Sequence, residues 1–265
     1  MLPVFYINLA RRTDRREFME GQFDALGIEA VRVDAITPAS MPAALPDRHN
    51  RHSPVELACN LSHQSIWAAF LAGTAPAAVV FEDDGRLSRR LPALLAALAD
   101  GLPDGIDLLK LETCGHGTRL SQRREVRIGA FEARRLVGSH FGTCGYVISR
   151  KAAELALADA ALNDALIDEY LFTRNGPMIY RARVYQVAPA LSRQLAGDPG
   201  RRGEPLATSD LAPPRKVVMD KRGSGRKRWL HLRQNARAGL LDALYFHRDW
   251  RGLLGPRQPI PFADD

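Results

Sequence analysis

Short apolar runs alternate with stretches of helical spacing along the first half of the chain, and their order is informative. Val4-Phe5-Tyr6-Ile7-Asn8-Leu9 is a compact, β-prone run that predicts a buried strand. From Arg11 to Leu26 the apolar positions Phe18, Phe23 and Leu26 recur on one helical face, and Gly27 supplies a stop. Ala30 to Ala35 predicts a second strand. A β-α-β unit is thus complete within 36 residues, which points to a parallel sheet covered by helices. After a Pro- and Ala-rich loop over 37–52, Ser53-Pro54-Val55-Glu56 combines an N-cap serine, a proline at the first helical position and the glutamate of a capping box. That helix is expected to run through Leu57, Leu61, Trp67 and Leu71 to about Gly73.

Ala77-Ala78-Val79-Val80-Phe81 is a wholly apolar strand that ends abruptly in three acids. A helix over 91–99, a strand over 107–111, a polar loop, a strand at Gly145 to Ile148 and helices over 151–157 and 165–172 are expected to follow. The spacing then gives way to Gly, Pro and Arg from Asp198, which divides the chain into a catalytic domain over 1–197 and a linker with a basic C-terminal segment over 198–265. The expected fold is α/β: a Rossmann-type, mostly parallel sheet with covering helices, plus a basic helical appendage over 226–251.

Composition changes this picture in one respect. The chain has 265 residues, 46% of them hydrophobic, enough for a substantial core. The net charge of +7 lies wholly in residues 211–265, where twelve basic side chains face five acidic ones. That is a local patch rather than a uniformly basic surface, so nucleic acid is not expected as a ligand. Near one helical face of the tail lie Trp229, Leu232, Ala236, Leu240, Ala243 and Trp250, beside a stripe of Arg226, Arg233, Arg237, Arg248 and Arg251. Leu230, Leu241 and Tyr245 fall off that face. The segment 215–251 suits an anionic membrane surface; it equally suits a helix packed on the core with its arginines solvated. Cys59, Cys114 and Cys144 form no C-x-x-C pair, and no signal peptide or bilayer-length apolar run is visible. A cytoplasmic protein, soluble or peripheral on the inner face of the cytoplasmic membrane, is the expectation.

The sharpest chemical feature is Glu82-Asp83-Asp84, followed by Gly85. Three adjacent carboxylates at the end of a buried strand repel one another and are costly to desolvate. A hard divalent cation, Mn²⁺ or Mg²⁺, would relieve them, and the carboxyl end of a strand is where open α/β sheets bind ligands. A solvated acidic loop is the plainer alternative. Gly142-Thr143-Cys144-Gly145 lacks both the G-x-G-x-x-G spacing and a G-K-[ST] ending, so a dinucleotide or phosphate-loop reading is weak.

Several blocks in order resemble glycosyltransferase family 25, the bacterial lipopolysaccharide and lipooligosaccharide glycosyltransferases related to collagen galactosyltransferases. They are Val4 to Arg12 with Arg15, Arg32-Val33-Asp34-Ala35, Glu56 to His63, Val80 to Asp84, Leu108-Leu109-Lys110-Leu111, and Gly142 to Ser149 with Ile167-Asp168-Glu169-Tyr170. The resemblance covers about residues 4–190. Val55 and Ala58 stand where the family carries glycine, and Gly85 where it carries an apolar residue.

The resemblance implies a GT-A fold with a D-x-D-like metal motif and inverting transfer of a hexose, galactose or glucose, from a UDP-sugar to a glycan or glycolipid acceptor. Glu82 or Asp83 would then meet the ribose or sugar, and Asp84, with Glu82, would hold the metal. Asn8 ends the first strand, while Arg11 and Arg15 lie where it hands over to a helix, placed either to clamp the donor or to pair with Asp14 and Glu17 on a solvated face. Asp34 contacts the nucleoside or forms a turn. His63 reaches a diphosphate oxygen, orients the acids, or is a satisfied core histidine. Gly145 approaches the donor sugar. Inversion requires a base outside the triplet, for which Asp168, then Glu169, is the candidate; a helix N-terminal charge is the alternative. Two other readings compete: a metal-dependent phosphoryl- or nucleotidyl-transfer enzyme, and a non-catalytic module binding lipid or nucleic acid through its basic tail.

Overall fold

The structure is a computed structural model that describes residues 1–42, 52–198, 200–201, 204–208, 224–246 and 250–264, with the backbone alone for 224–234 and Trp250. The first elements are β1 (Val4–Asn8), α1 (Thr13–Leu26), β2 (Ala30–Asp34), α2 (Pro54–Ala72), β3 (Ala77–Glu82), β4 (Gly85–Leu87) and α3 (Leu91–Ala97). There follow β5 (Leu108–Lys110), β6 (Glu112–Thr113), β7 (Leu120–Ile128), β8 (Phe131–Leu136), β9 (Gly145–Ser149) and α4 (Arg150–Leu157). The chain continues through α5 (Ile167–Phe172), α6 (Met178–Arg181), β10 (Val184–Ala188), β11 (Ser192–Gln194), α7 (Ser224–Tyr245) and α8 (Trp250–Leu254).

Local chemistry accounts for the boundaries. Gly27 ends α1 in the left-handed conformation at φ 64°, which glycine adopts without steric cost. Ser53 and Glu56 form the expected reciprocal capping box at the start of α2, a device contributing about 1 kcal/mol. One large sheet has the order β2-β1-β3-β9-β5-β10-β8-β7, and a small one the order β4-β11-β6. Six of the eight strands of the large sheet run the same way, while β9 and β8 are reversed. The sheet is therefore mostly parallel, as expected, with a reversed strand at its centre.

Both faces of this sheet are covered, and alternate residues of β3 show it. Ala78 and Val80 pack with Trp67, Tyr146 and Phe172, whereas Ala77, Val79 and Phe81 pack with Met19, Phe23 and Leu94. A strand buried on both sides reads as the continuous apolar run seen in the sequence.

Three expectations need correction. The polar loop after β5 contains the β7–β8 hairpin, whose outer strand carries Gln122, Arg123 and Glu125 exposed at the sheet edge. Charged residues there discourage pairing with another chain and also hide the strand from a hydrophobicity pattern. The packed body does not stop at residue 197. Gln258 bridges Thr118, Phe262 bridges Ala190, and Ile260 and Phe262 are buried. The basic helix packs on the core, one of its two expected placements, through a face other than the apolar one noted in the sequence: Ala238, Asp242 and Phe246 are buried, with Asp242 paired to Arg174 and Phe246 under Arg135. Ala236, Leu240 and Ala243 face outward. Arg226, Trp229, Leu232, Arg233, Arg248 and Trp250 have side chains outside the described residues, as does most of the 198–223 linker.

Candidate active site

The triplet emerges where β3, wedged between β1 and β9, runs out of the core. Its three carboxylates are treated differently by their surroundings. Glu82 Oε1 lies 3.1 Å from His63 Nε2 and accepts from Thr143 Oγ1 at 2.5 Å. Trp67 Nε1 donates to the Tyr146 hydroxyl at 2.9 Å, and that hydroxyl lies 2.9 Å from His63 Nδ1, so both ring nitrogens of His63 have partners. Burial raises the Glu82 carboxyl, but the His63 and Thr143 hydrogen bonds and the Lys110 charge outweigh it and hold Glu82 below the usual carboxylate range. With both ring nitrogens engaged, His63 orients the acid instead of presenting a donor to a diphosphate.

Asp83 is held from two sides, by Arg15 Nη1 at 2.8 Å and Asn8 Nδ2 at 2.8 Å. The chain of contacts continues from Asn8 Oδ1 to Arg32, which pairs with the exposed Asp34. Arg15 also donates to the carbonyls of Leu206 and Thr208. Asn8, Arg15 and Asp83, expected to bind the donor, thus turn polar atoms toward one another. A buried carboxylate flanked by two more acids needs a cation and a donor of its own. The Asp14 and Glu17 partners considered for Arg15 are replaced by Asp83; it is Arg12 that takes Asp14, at 2.9 Å.

Asp84 has one oxygen on Gln194 Nε2 at 3.0 Å, while its buried Oδ1 has no hydrogen-bond partner. Burial, then the Glu82 charge, pushes its carboxyl up to about 7. A buried oxygen left without a donor, beside a second ionised carboxylate, is what a hard cation would satisfy. Asp84 and Glu82 fit Mn²⁺ or Mg²⁺ on these grounds. A softer set also converges: Cys59, His63 and Glu82 place a sulfur, a nitrogen and an oxygen within 4.8 Å of one another. Gln194, brought opposite Gly85 by β11, had no signal in the sequence. Gly85 itself makes room for Cys144, whose Sγ would lie 2.7 Å from an added Cβ.

A cavity of ≈ 310 Å³ opens in front of the triplet, lined by Leu9, Arg11, Ala35 to Pro38, Val55, Cys59 and Ser62 as well as the acids. Arg11 is exposed at its wall. Asp168, at the start of α5, accepts from the Gly142 amide at 3.0 Å. The Cys59 thiol, pushed up by burial and then by Glu82, Asp168 and Asp84, senses all three acids. Asp168 is joined to the acids from another element through the loop whose next residue, Thr143, donates to Glu82. Burial, then the Asp168 charge, raises the Glu169 carboxyl. Gly145 answers to a different need from the one expected: it is buried in β9, where a Cβ would lie 2.3 Å from Ser192 Oγ and 2.9 Å from the Phe81 ring.

The lacto-N-neotetraose biosynthesis glycosyltransferase LgtE of Neisseria meningitidis is 30% identical over 207 residues, 71% of this chain and 72% of that one. LgtB of Neisseria gonorrhoeae is 32% identical over 162 residues, 57% of this chain and 58% of that one. A glycosyltransferase 25 family member of Drosophila melanogaster is 28% identical over 184 residues, 63% of this chain but 30% of that one. Among solved structures, a glycosyltransferase involved in glycosylation of the major capsid of PBCV-1 aligns with TM-score 0.40 and 10% identity, over 74% of this chain and 95% of that chain. That likeness is too remote to build on, and the mostly parallel α/β architecture stands on the sheet order above. The model for glycosyltransferase family 25 (LPS biosynthesis protein) matches residues 1–170, the span that carries β1, the capped helix α2, the acidic triplet and Asp168, and the chain belongs to that family.

Proposed function

We propose that the protein is a metal-dependent, inverting glycosyltransferase that moves a hexose, galactose or glucose, from a UDP-sugar to a cell-surface glycan such as lipopolysaccharide or lipooligosaccharide. The Neisseria relatives, named for lacto-N-neotetraose biosynthesis, support the acceptor class. The observation that carries the chemistry is the buried, unpartnered oxygen of Asp84 beside the ionised Glu82. Asp84 and Glu82 would hold Mn²⁺ or Mg²⁺, which supplies positive charge to the departing diphosphate. His63 and Thr143 fix Glu82, while Arg15 and Asn8 fix Asp83, so the corner is preorganised before the donor arrives. Arg11 and the backbone after β2 face the nucleotide across the cavity. Asp168 takes the proton of the acceptor hydroxyl as that oxygen attacks, with Glu169 as the alternative base.

A panel of UDP-sugars with and without Mn²⁺ tests this, with thermal shift reporting binding and nucleoside diphosphate release reporting turnover. One UDP-hexose is expected to stabilise the protein in the presence of metal and to turn over with a glycan acceptor. Nucleotide exchange or hydrolysis indifferent to any glycan would favour phosphoryl or nucleotidyl transfer instead.

The acceptor surface follows from the tail. Leu240, Leu244, Tyr245 and Leu254 are exposed at 64%, 61%, 49% and 79%, near the exposed Arg237 and Arg251. Among the described residues no helix is long and apolar enough to cross a membrane. An apolar face bordered by arginines instead suits peripheral docking on an anionic inner leaflet, where a lipid-linked acceptor is presented. Co-sedimentation with phosphatidylglycerol vesicles is expected, and a Leu240→Ser, Leu244→Ser double variant should lose it. Equal sedimentation of both proteins would refute docking through this face.

A further inference from the structure

We propose that Lys110 and Glu112 are positioning residues that act through Gly142 to hold Asp168 where it takes the acceptor proton, a role that rests on Asp168 being the base. Both side chains are fully buried, and they pair at 3.1 Å in the interior behind the cleft. Desolvating two charges costs so much that an apolar pair of similar volume does as well or better for stability. Stability alone therefore does not explain this pair.

Its partners do. Lys110 Nζ donates to the Gly142 carbonyl and stands 4.4 Å from the centroid of the Phe172 ring. Phe172 belongs to α5, the helix that carries Asp168. Glu112 accepts from the Cys144 amide at 2.9 Å, so the pair grips one short loop at two points. On its other side that loop meets the reacting groups: the Gly142 amide donates to Asp168 Oδ2 at 3.0 Å, and Thr143 donates to Glu82 at 2.5 Å. The peptide that Lys110 fixes by its oxygen is adjacent to the N–H that aims Asp168.

Residue 142 has to be glycine. Its φ is +91°, and a Cβ would stand 2.3 Å from Glu112 Oε1. Neither Lys110 nor Glu112 is exposed, and neither lines the cavity, so neither touches substrate; beyond the charge that Lys110 lends to Glu82, they reach the site through this loop.

Azide provides the discriminating probe. It attacks the anomeric carbon directly: a C–N bond forms as the C–O bond to the diphosphate breaks, the nucleoside diphosphate leaves, and no proton has to be removed. An enzyme short of its base therefore regains turnover with azide. Lys110→Met should lower kcat for the glycan acceptor roughly 10²-fold, a larger change than in donor Kd measured by calorimetry with Mn²⁺, where the charge lost beside Glu82 also acts. Azide should restore its turnover, as in Asp168→Ala. Gly142→Ala, which alters no charge, should behave alike. The double variant Lys110→Met, Glu112→Gln leaves no uncompensated charge and serves if the single variant does not fold. Unchanged kcat in Lys110→Met, or equal loss toward glycan and azide, would overturn the positioning role. Failure of azide to rescue Asp168→Ala would overturn the base assignment itself, and the positioning role with it.

Discussion

Asp84→Asn is expected to lower glycosyl transfer about 10³-fold or more, on the order of 4 kcal/mol of transition-state stabilisation. The same substitution should stabilise the metal-free fold. Burial and the Glu82 charge raise the Asp84 carboxyl to about 7, far above the 3.8 of an unfolded aspartate. The folded state therefore binds this proton more tightly than the unfolded chain does. That advantage is fully present below about pH 4 and is lost as the pH rises through about 7, where the fold must hold an unpaired buried charge. Asparagine removes the charge and keeps the shape. Thermal unfolding at pH 8 without metal should place the variant above the native protein by up to a few kcal/mol, and at pH 4 the difference should vanish. Saturating Mn²⁺ and nucleotide should reverse the order, since only the native protein gains from the ligand. A variant less stable than native at pH 8 without metal would show that Asp84 has a structural partner instead. Such a trade of stability for function is common at active sites.

Asp168→Ala should lose 10²- to about 10⁴-fold in kcat while leaving the affinity for donor and metal nearly untouched. Asp168 stands on α5, apart from the triplet, so its removal spares the corner that receives the diphosphate. Kinetics with saturating acceptor, alongside calorimetry of donor binding, separates the two quantities. Glu169→Gln should retain most activity, because it is Asp168 that the Gly142 amide holds beside the loop bound to Glu82. If instead Glu169→Gln is dead and Asp168→Ala active, the two acids exchange roles.

Much of this arrangement was legible in the residues because local physics fixes it. The continuous apolar run of β3, the Ser53–Glu56 box and the Gly27 stop each specify an element by themselves, and three acids at a strand end mark a site. What stayed hidden depends on partners distant in sequence. Nothing in the order of residues says that Arg15 will take Asp83 sixty-eight positions away, or that Gln194 will reach Asp84 across 110. The β7–β8 hairpin was missed because an edge strand bearing arginines and glutamate lacks the alternation that betrays a half-buried one. The return of residues 257–263 was missed for a related reason: Ile260 and Phe262, each following a proline, are too few to look like core until Thr118 and Ala190 supply the other side. The buried side of α7 stayed hidden because it is built on Asp242, whose charge reads as solvent-facing until Arg174 is seen opposite.

Three neighbouring acids are tolerated at the mouth of this sheet because a cation and a diphosphate belong there. Electron paramagnetic resonance of free Mn²⁺, recorded with UDP present, tests this most directly. The native protein should deplete the free-ion signal in proportion to the sites added, and Asp84→Asn should leave it at the level of UDP alone. Equal depletion by the two proteins, or none by the native one, would contradict the metal-bound donor site.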